Sequence, residues 1–448
     1  MNLITILIYV WPYIWDSGGN DFAKDVDVTS DGKIIGAVWT WDTLYKGVIL
    51  KLDPYGNLLW ESDILPNDAV GSCIEKIKTY GEKIYAIGYV NLQGNKDIGV
   101  IWEIDAYGNV IYEKRWSEYE NSYIKGIDFD QEGNLFLIGN IYINGRYLLR
   151  VLKYDTNFNQ LLEIVDSSYK YTYGNDISVS SNCFYICGEA WDTITSKWVW
   201  FLSKYKIDGN LEWKKVIGGN LNEDNHGICV KSDEMKNVYT GGYYWQPPGY
   251  NWWIEKRDSI GNLIWSYSIG LSNVHDILFD IDIYGDYVLI AGYKDVPPTW
   301  RWAMEKRDKN NGTLICSHTM SQTTQERFGQ AIGIKGIQNG YMYIIGHRLD
   351  LTRLSWDVRI ALYDPNCTMV FITEKEKKEK IRSYLKINTF KNVTMIISNS
   401  KEPFYLYTCD GKKIGKVFPG EIFGKNLPAG KYYLKRKNEK LEFIKLGG

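Results

Sequence analysis

Histidine is scarce. The 448-residue chain has 4, which counts against a metalloenzyme built on imidazole ligands. No stretch approaches the ~20 apolar residues that a membrane-spanning helix needs. Charge is nearly balanced, with 52 Lys+Arg against 54 Asp+Glu. The basic excess that drives generic nucleic-acid binding is therefore missing. The seven cysteines are scattered and odd in number: Cys73, Cys183, Cys187, Cys229, Cys316, Cys367 and Cys409. Cys183 and Cys187 lie four apart in one strand pattern, with no second pair to complete a zinc site, and read as buried small hydrophobes. Catalytic signatures are also missing: no G-x-S-x-G, H-E-x-x-H, Walker loop or C-x-x-C occurs. No metal, cofactor, nucleic acid or membrane span is expected, and the oligomeric state is left open.

Aromatic residues are plentiful, with 18 Trp and 35 Tyr. Charge is unevenly placed: residues 374–448 carry +10 and the remainder −12. An acidic body with a basic tail suggests two domains of different role. The apolar run Asn2 to Val10 is too short to span a bilayer. It reads either as a signal remnant, occupying 1–11, or as a first strand.

One phrase recurs: a hydrophobic run, then Asp-x-x-Gly-Asn-Leu-x-Trp, as in KLDPYGNLLW from Lys51 and KRDSIGNLIW from Lys256. Its anchor falls at Asp53, Asp105, Asp155, Lys206, Asp258, Asp308 and Asp364, spaced 52, 50, 51, 52, 50 and 56 residues apart. Ahead of each copy a strand ends in Gly, at Gly36, Gly88, Gly139, Gly188, Gly242, Gly292 and Gly346. Two markers with one period of about 50 residues, each unit holding four short strands, specify an all-β, seven-bladed propeller of four-stranded antiparallel blades over 12–373. Within the phrase, Asp is expected to cap a turn, Gly or Asn to take positive φ, and Trp to pack between blades. Trp15 to Gly19 matches the end of another blade at Trp213 to Gly219. The N-terminus is thus expected to supply an outer strand to the last blade and lock the ring.

The blade phrase resembles that of the secreted β-propeller repeat proteins of bacteria and archaea. It also resembles the docking repeat of quinoprotein propellers and the Asp box of sialidases. It departs from the first in lacking a vicinal cysteine pair, and from the second in lacking the leading Ser. After a charged linker at 374–386, residues 387–448 read as a small C-terminal β-sandwich with turns at Asp410-Gly411 and Pro428-Ala429-Gly430. Leu406-Tyr407, Asp410-Gly411-Lys412 and Leu427-Pro428-Ala429-Gly430-Lys431-Tyr432 are similar to the C-terminal sorting domain of type IX secretion. That resemblance implies export or surface attachment, hence an extracellular or cell-surface location. The ending Lys445-Leu446-Gly447-Gly448 departs from it.

Two candidate sites follow. The first is an aromatic patch on blades 4 to 6: Trp200, Tyr244, Trp245, Trp252 and Trp302, beside loops stiffened by Pro247-Pro248 and Pro297-Pro298. Rigid aromatics suit sugar rings or a protein partner, and loop packing is the alternative. The second is the channel mouth. Aligning first strands on Val26, Ile74, Ile127, Ile177, Ile228, Ile277 and Ile332 places Lys24, Ser72, Lys125, Asn175, His226, His275 and Gln330 in one polar ring, with Asp176 and Asp276 beside it. This ring reads as a ligand pocket or as a hydrated channel wall. Asp21, Asp68 and Asp224, just before these strands, are expected to bond backbone between blades. The expected function is that of an exported, non-catalytic binding or scaffold protein whose propeller recognises a glycan or protein. The alternative is a glycan-cleaving propeller with its acid and base at the channel mouth.

Overall fold

The structure is a computed structural model. It describes residues 12–41, 44–94, 96–218, 222–270, 275–296, 299–320 and 326–370, and in the C-terminal part 394–395, 404–408, 412–417, 422–423, 430–436 and 439–445. The apolar run 2–10, Pro297-Pro298, the linker 374–386, the turns 410–411 and 428–429 and the ending 446–448 lie outside the described residues.

Seven four-stranded antiparallel sheets form the propeller. Blades 1 to 6 are consecutive strand quartets over 20–64, 71–115, 122–166, 172–217, 225–269 and 277–319. Blade 7 takes three strands, Glu326–Gly336, Met342–Asp350 and Ser355–Tyr363, from the end of the propeller and its outer strand, Tyr13–Trp15, from the start. Tyr13 pairs with Ile360 and Trp15 with Val358. The expected closure of the ring by the N-terminal strand is what the pairing shows, and Trp15 Nε1 then donates to Glu61 of blade 1 at 3.0 Å.

Burial explains the sequence pattern of each blade. Second strands are apolar on both faces because a blade packs on either side; Ile34–Trp41 is buried through five successive residues. Outer strands alternate or face solvent, as Leu58–Ile64 does. The cores are the seams between blades: one cluster joins Ile35, Ala37 and Ile49 of blade 1 to Ile74, Ala86 and Trp102 of blade 2.

A β-bulge interrupts every first strand, placing one extra residue opposite the second strand. The bulge explains the repeated glycine. A Cβ on Gly88, Gly139 or Gly242 would lie 1.9, 1.9 or 2.0 Å from the carbonyl oxygen of Cys73, Tyr123 or His226. Blade 1 is the exception: the residue at that level is Val38, opposite Ala23, and Gly36 pairs instead with Val26 beyond the bulge.

The anchor phrase behaves as expected. Asp53 Oδ1 accepts the N–H groups of Tyr55 and Asn57, and Gly56 sits at φ 83°. Trp60 then lies on Gly108 of the next blade and donates Nε1–H to Ala106 O at 2.9 Å. Trp213 and Trp265 bond Ser259 O and Lys309 O in the same manner. Between blades 6 and 7 the pair becomes Cys316 and Cys367, which form a disulfide. Cys316 occupies the tryptophan position of its phrase, and Cys367, at φ 63°, the glycine position of the next. Sequence reading missed this bridge; Cys183 and Cys187 are buried and free, as expected.

The chain divides into two compact units, with 11–371 in one and 372–448 in the other. Described strands of the second form a four-stranded antiparallel sheet, ordered Lys413–Val417, Phe404–Thr408, Gly430–Arg436, Glu439–Lys445, and a two-stranded pair, Thr394–Met395 with Ile422–Phe423. A two-layer sandwich is not established by these strands.

Candidate functional site at the aromatic face

The expected aromatic patch is corrected by burial. Trp200, Trp252 and Trp302 are 0, 0 and 1% exposed, and Tyr244 5%. Each tryptophan fills a seam: Trp200 lies on Gly227, Trp252 on Gly292 and Trp302 on Gly346, all in the following blade. Where the same position is glycine, the neighbour is large, with Gly47 against Ile74 and Gly99 against Ile124. The changing residue type therefore marks complementary packing. Of the patch, only Trp245 is partly exposed.

The expected channel ring is corrected by the bulges. Val26, Ile127 and Ile177 stand after the bulge, whereas Ile74, Ile228, Ile277 and Ile332 stand at or ahead of it. The alignment slipped by two to four residues in those four blades. The residues level with Lys24, Lys125 and Asn175 are Glu75, Ile228, Phe279 and Ile332, so Ser72, His226, His275 and Gln330 leave the ring. Lys24 and Lys125 both bind Glu75, at 3.3 and 2.7 Å, and Asn175 donates to Gly227 O of the next blade. Burial alone would raise the Glu75 carboxyl, but the two lysines hold it down at about 2.

Deeper in the channel two charged rings, missed by the slipped alignment, cross-link the blades. Asp25, Asp176 and Asp280 accept the backbone N–H of Ile77, Val230 and Ile334, one blade on. Asp27, Asp128 and Asp282 do the same for Thr79, Val179 and Gly336. Lys76 binds Asp176 at 2.7 Å, Lys78 binds Asp128 at 2.8 Å and Lys335 binds Asp27 at 2.9 Å. Among the described residues Asp25 and Asp280 have no such lysine. Burial pushes Asp280 up to about 7 against the pull of Lys76 and Lys231, with Asp25 adding repulsion; Asp25 is raised for the same first reason. The free space among these groups is about 30 Å³ for water-sized occupants, room for a water or two and not for a sugar. Asp176 therefore works as a structural cross-link.

Asp276 is fully buried and accepts the Asp295 N–H at 2.8 Å. Asp224 bonds the Trp198 N–H of the preceding blade, as expected. Asp21 instead holds Ser17 at the ring closure, and Asp68 pairs with Arg115.

His226 and His275 belong to a different feature, at the end of the propeller where first strands begin. Aromatic rings there touch in series across blades 2 to 6. Tyr89 meets Tyr123, Tyr123 meets Tyr147, Tyr147 meets Tyr173 and Tyr173 meets Trp198, with centroids 5.2, 6.1, 5.6 and 5.6 Å apart. Beyond them His226 stacks on Tyr243 at 4.7 Å, Tyr243 meets Tyr250, and Tyr250 meets Trp245 and His275. These rings are partly exposed, and His275 is exposed. Polar groups punctuate the arc: Tyr123 donates to Asp97 at 2.6 Å, and Glu189 Oε2 stands 2.5 Å from His226 Nδ1. Burial, with Glu189 next, holds the Tyr243 hydroxyl well above its ordinary range. Both histidines touch Tyr250, and among the described residues no three metal-binding side chains converge.

No protein-family model matches the sequence, and no curated protein does. Solved structures share the fold. A polysaccharide lyase, Uly1, superposes with a TM-score of 0.52 at 10% identity, over 76% of this chain and 90% of its own. The β-propeller domain of the trilobed protease from Pyrococcus furiosus superposes with a TM-score of 0.48 at 12% identity, over 78% and 97%.

Proposed function

We propose that this chain is a glycan-binding propeller whose binding face is the aromatic arc of blades 2 to 6. The observation that carries the reading is the series of partly exposed rings in mutual contact, from Tyr89 to Trp198 and from His226 to His275. Sugar rings present C–H faces that stack on such side chains. A ring wedged between its neighbours loses little freedom on binding. Asp97 and Glu189 supply acceptors for sugar hydroxyls along the same arc. The test is retention of the full chain on a panel of polysaccharides, beside Trp198→Ala and Tyr250→Ala. Each variant should bind at least ~10-fold more weakly with an unchanged circular-dichroism spectrum. Binding equal to the wild type would refute the assignment.

A second reading is glycan cleavage. It is favoured by one observation: Glu189 holds His226 by Nδ1, and among the described residues Nε2 has no hydrogen-bond partner, the arrangement of an oriented proton-transfer group. The lyase among the structural neighbours adds only its fold. Release of new chain ends from a bound polysaccharide, abolished in His226→Ala, would establish this reading; intact polysaccharide would leave recognition alone.

The proposed setting is extracellular or at the cell surface, with residues 387–448 serving export or attachment. The Cys316–Cys367 disulfide supports an oxidising compartment. Antibody detection in surface or culture fractions of the source cells checks this, and confinement to the cytosol would end it.

A further inference from the structure

Blade 6 carries an unmatched positive charge at the same end of the propeller. Its third strand, Thr299–Asp308, alternates between two seams. Trp302 and Met304 belong to the core shared with blade 7, whereas Ala303 belongs to the core shared with blade 5. Arg301, Glu305 and Arg307 have the parity of Ala303 and so look toward blade 5. Lys294, opposite Arg301 in the strand register, joins them, with its ammonium 5.3 Å from the ring of Trp252 in blade 5.

Of the three cations on this face, Lys294, Arg301 and Arg307, two share the one carboxylate of their own strand pair. Glu305 receives Lys294 at 2.8 Å on one oxygen and Arg307 at 2.7 Å on the other. Arg301 is left over. It forms no hydrogen bond or ion pair among the described residues, and its Nε is buried without a partner. Asp295 alternates to the other face, opposite Trp300, and Asp276 is engaged with the Asp295 N–H. A buried guanidinium N–H without an acceptor has lost its hydration with nothing in exchange. Two cations directly opposite on paired strands add repulsion. An incoming oxyanion removes both penalties, and the fork of N–H groups on arginine matches the two oxygens of a sulfate or carboxylate.

We propose that the seam between blades 5 and 6 at the aromatic face is an anion subsite, in which Arg301 binds a sulfate or carboxylate group carried by an acidic glycan. The carrier rests on the glycan reading above; the anion site does not. The test has two arms, each with wild type, Arg301→Gln and the charge-preserving Arg301→Lys. In the first, inorganic sulfate is titrated at constant ionic strength, with chloride as balance, and the thermal midpoint is read. Wild type should be stabilised saturably, Arg301→Gln should respond at least ten-fold more weakly, and Arg301→Lys should fall between. Equal responses in wild type and Arg301→Gln overturn the site. In the second arm, retention on dextran sulfate, carboxymethyl-dextran and plain dextran is compared. Preference for a charged matrix that disappears in Arg301→Gln supports the acidic-glycan carrier, and preference that persists overturns it. If none of these matrices is retained while the sulfate response depends on Arg301, the anion site stands and the acidic-glycan carrier falls. Failure of the whole polysaccharide panel would then tell separately against the glycan reading.

Discussion

The seam between blades 6 and 7 offers a direct exchange between covalent and non-covalent joining. Cys316 and Cys367 hold the positions that Trp60 and Gly108, or Trp265 and Gly312, hold elsewhere. The bridge spans 51 residues, and closing a loop of that length removes ~4 kcal/mol of unfolded-state freedom. Cys316→Ala with Cys367→Gly should therefore lower stability by several kcal/mol. The glycine offsets ~1 kcal/mol of this, because position 367 is left-handed at φ 63°. Cys316→Trp with Cys367→Gly should recover ~2 kcal/mol of the remainder. The indole would find a glycine platform and the Pro365 carbonyl, which already accepts Lys306 at 3.0 Å. Equilibrium denaturation followed by tryptophan fluorescence, without reductant, measures all three proteins. If the tryptophan variant is no more stable than the alanine variant, the equivalence of the two joints is wrong.

Three further outcomes are expected. Asp280 has a folded value of about 7, above the ~3.9 of an unfolded chain. Its stabilising contribution is complete below pH ~4 and is lost as pH rises through 7, and Asp280→Asn should flatten that slope in thermal midpoints between pH 5 and 8; an unchanged slope would count against the assignment. Glu75→Gln should cost ~2 kcal/mol by stranding Lys24 and Lys125, and since Glu75 is held at about 2, its contribution is present above pH ~4 and lost as pH falls toward 2. Trp302→Ala should cost ~3–5 kcal/mol in denaturant unfolding, because a buried indole leaves a cavity against Gly346 and Gly329; a loss under ~1 kcal/mol would mean that the seam collapses to fill it.

The blade count, the turn cap and the ring-closing strand were legible because each repeats a residue whose chemistry is local. Asp53 needs only its own turn. The channel was not legible, because a bulge is a property of pairing, and nothing in Lys24 or Glu75 says which is the extra residue. Counting from an apolar anchor therefore carried His226 and His275 into a ring that they do not share. The tryptophans failed for another reason: burial of Trp200 is decided by Gly227, 27 residues away in the next blade. The disulfide did leave a signal. Cys316 and Cys367 stand at repeat positions that form a contact in the five seams from blade 1 to blade 6, and aligning the phrase by contact would have exposed them. Arg301 left none, since its isolation depends on Glu305 being shared by two other cations.

The paired sizes across the seams have a bearing on how such a chain avoids assembling wrongly. Near-identical units invite closure in the wrong order, or exchange of a blade with another copy. Here the joints are of two kinds, glycine against isoleucine at Gly47 and Gly99 and tryptophan against glycine at Trp200, Trp252 and Trp302. Blade 1 placed before blade 5 would set Gly47 against Gly227 and leave a void. Blade 4 placed before blade 2 would drive Trp200 into Ile74. Closures that join a blade of one kind to a partner of the other are thus rejected by shape before any ligand is met.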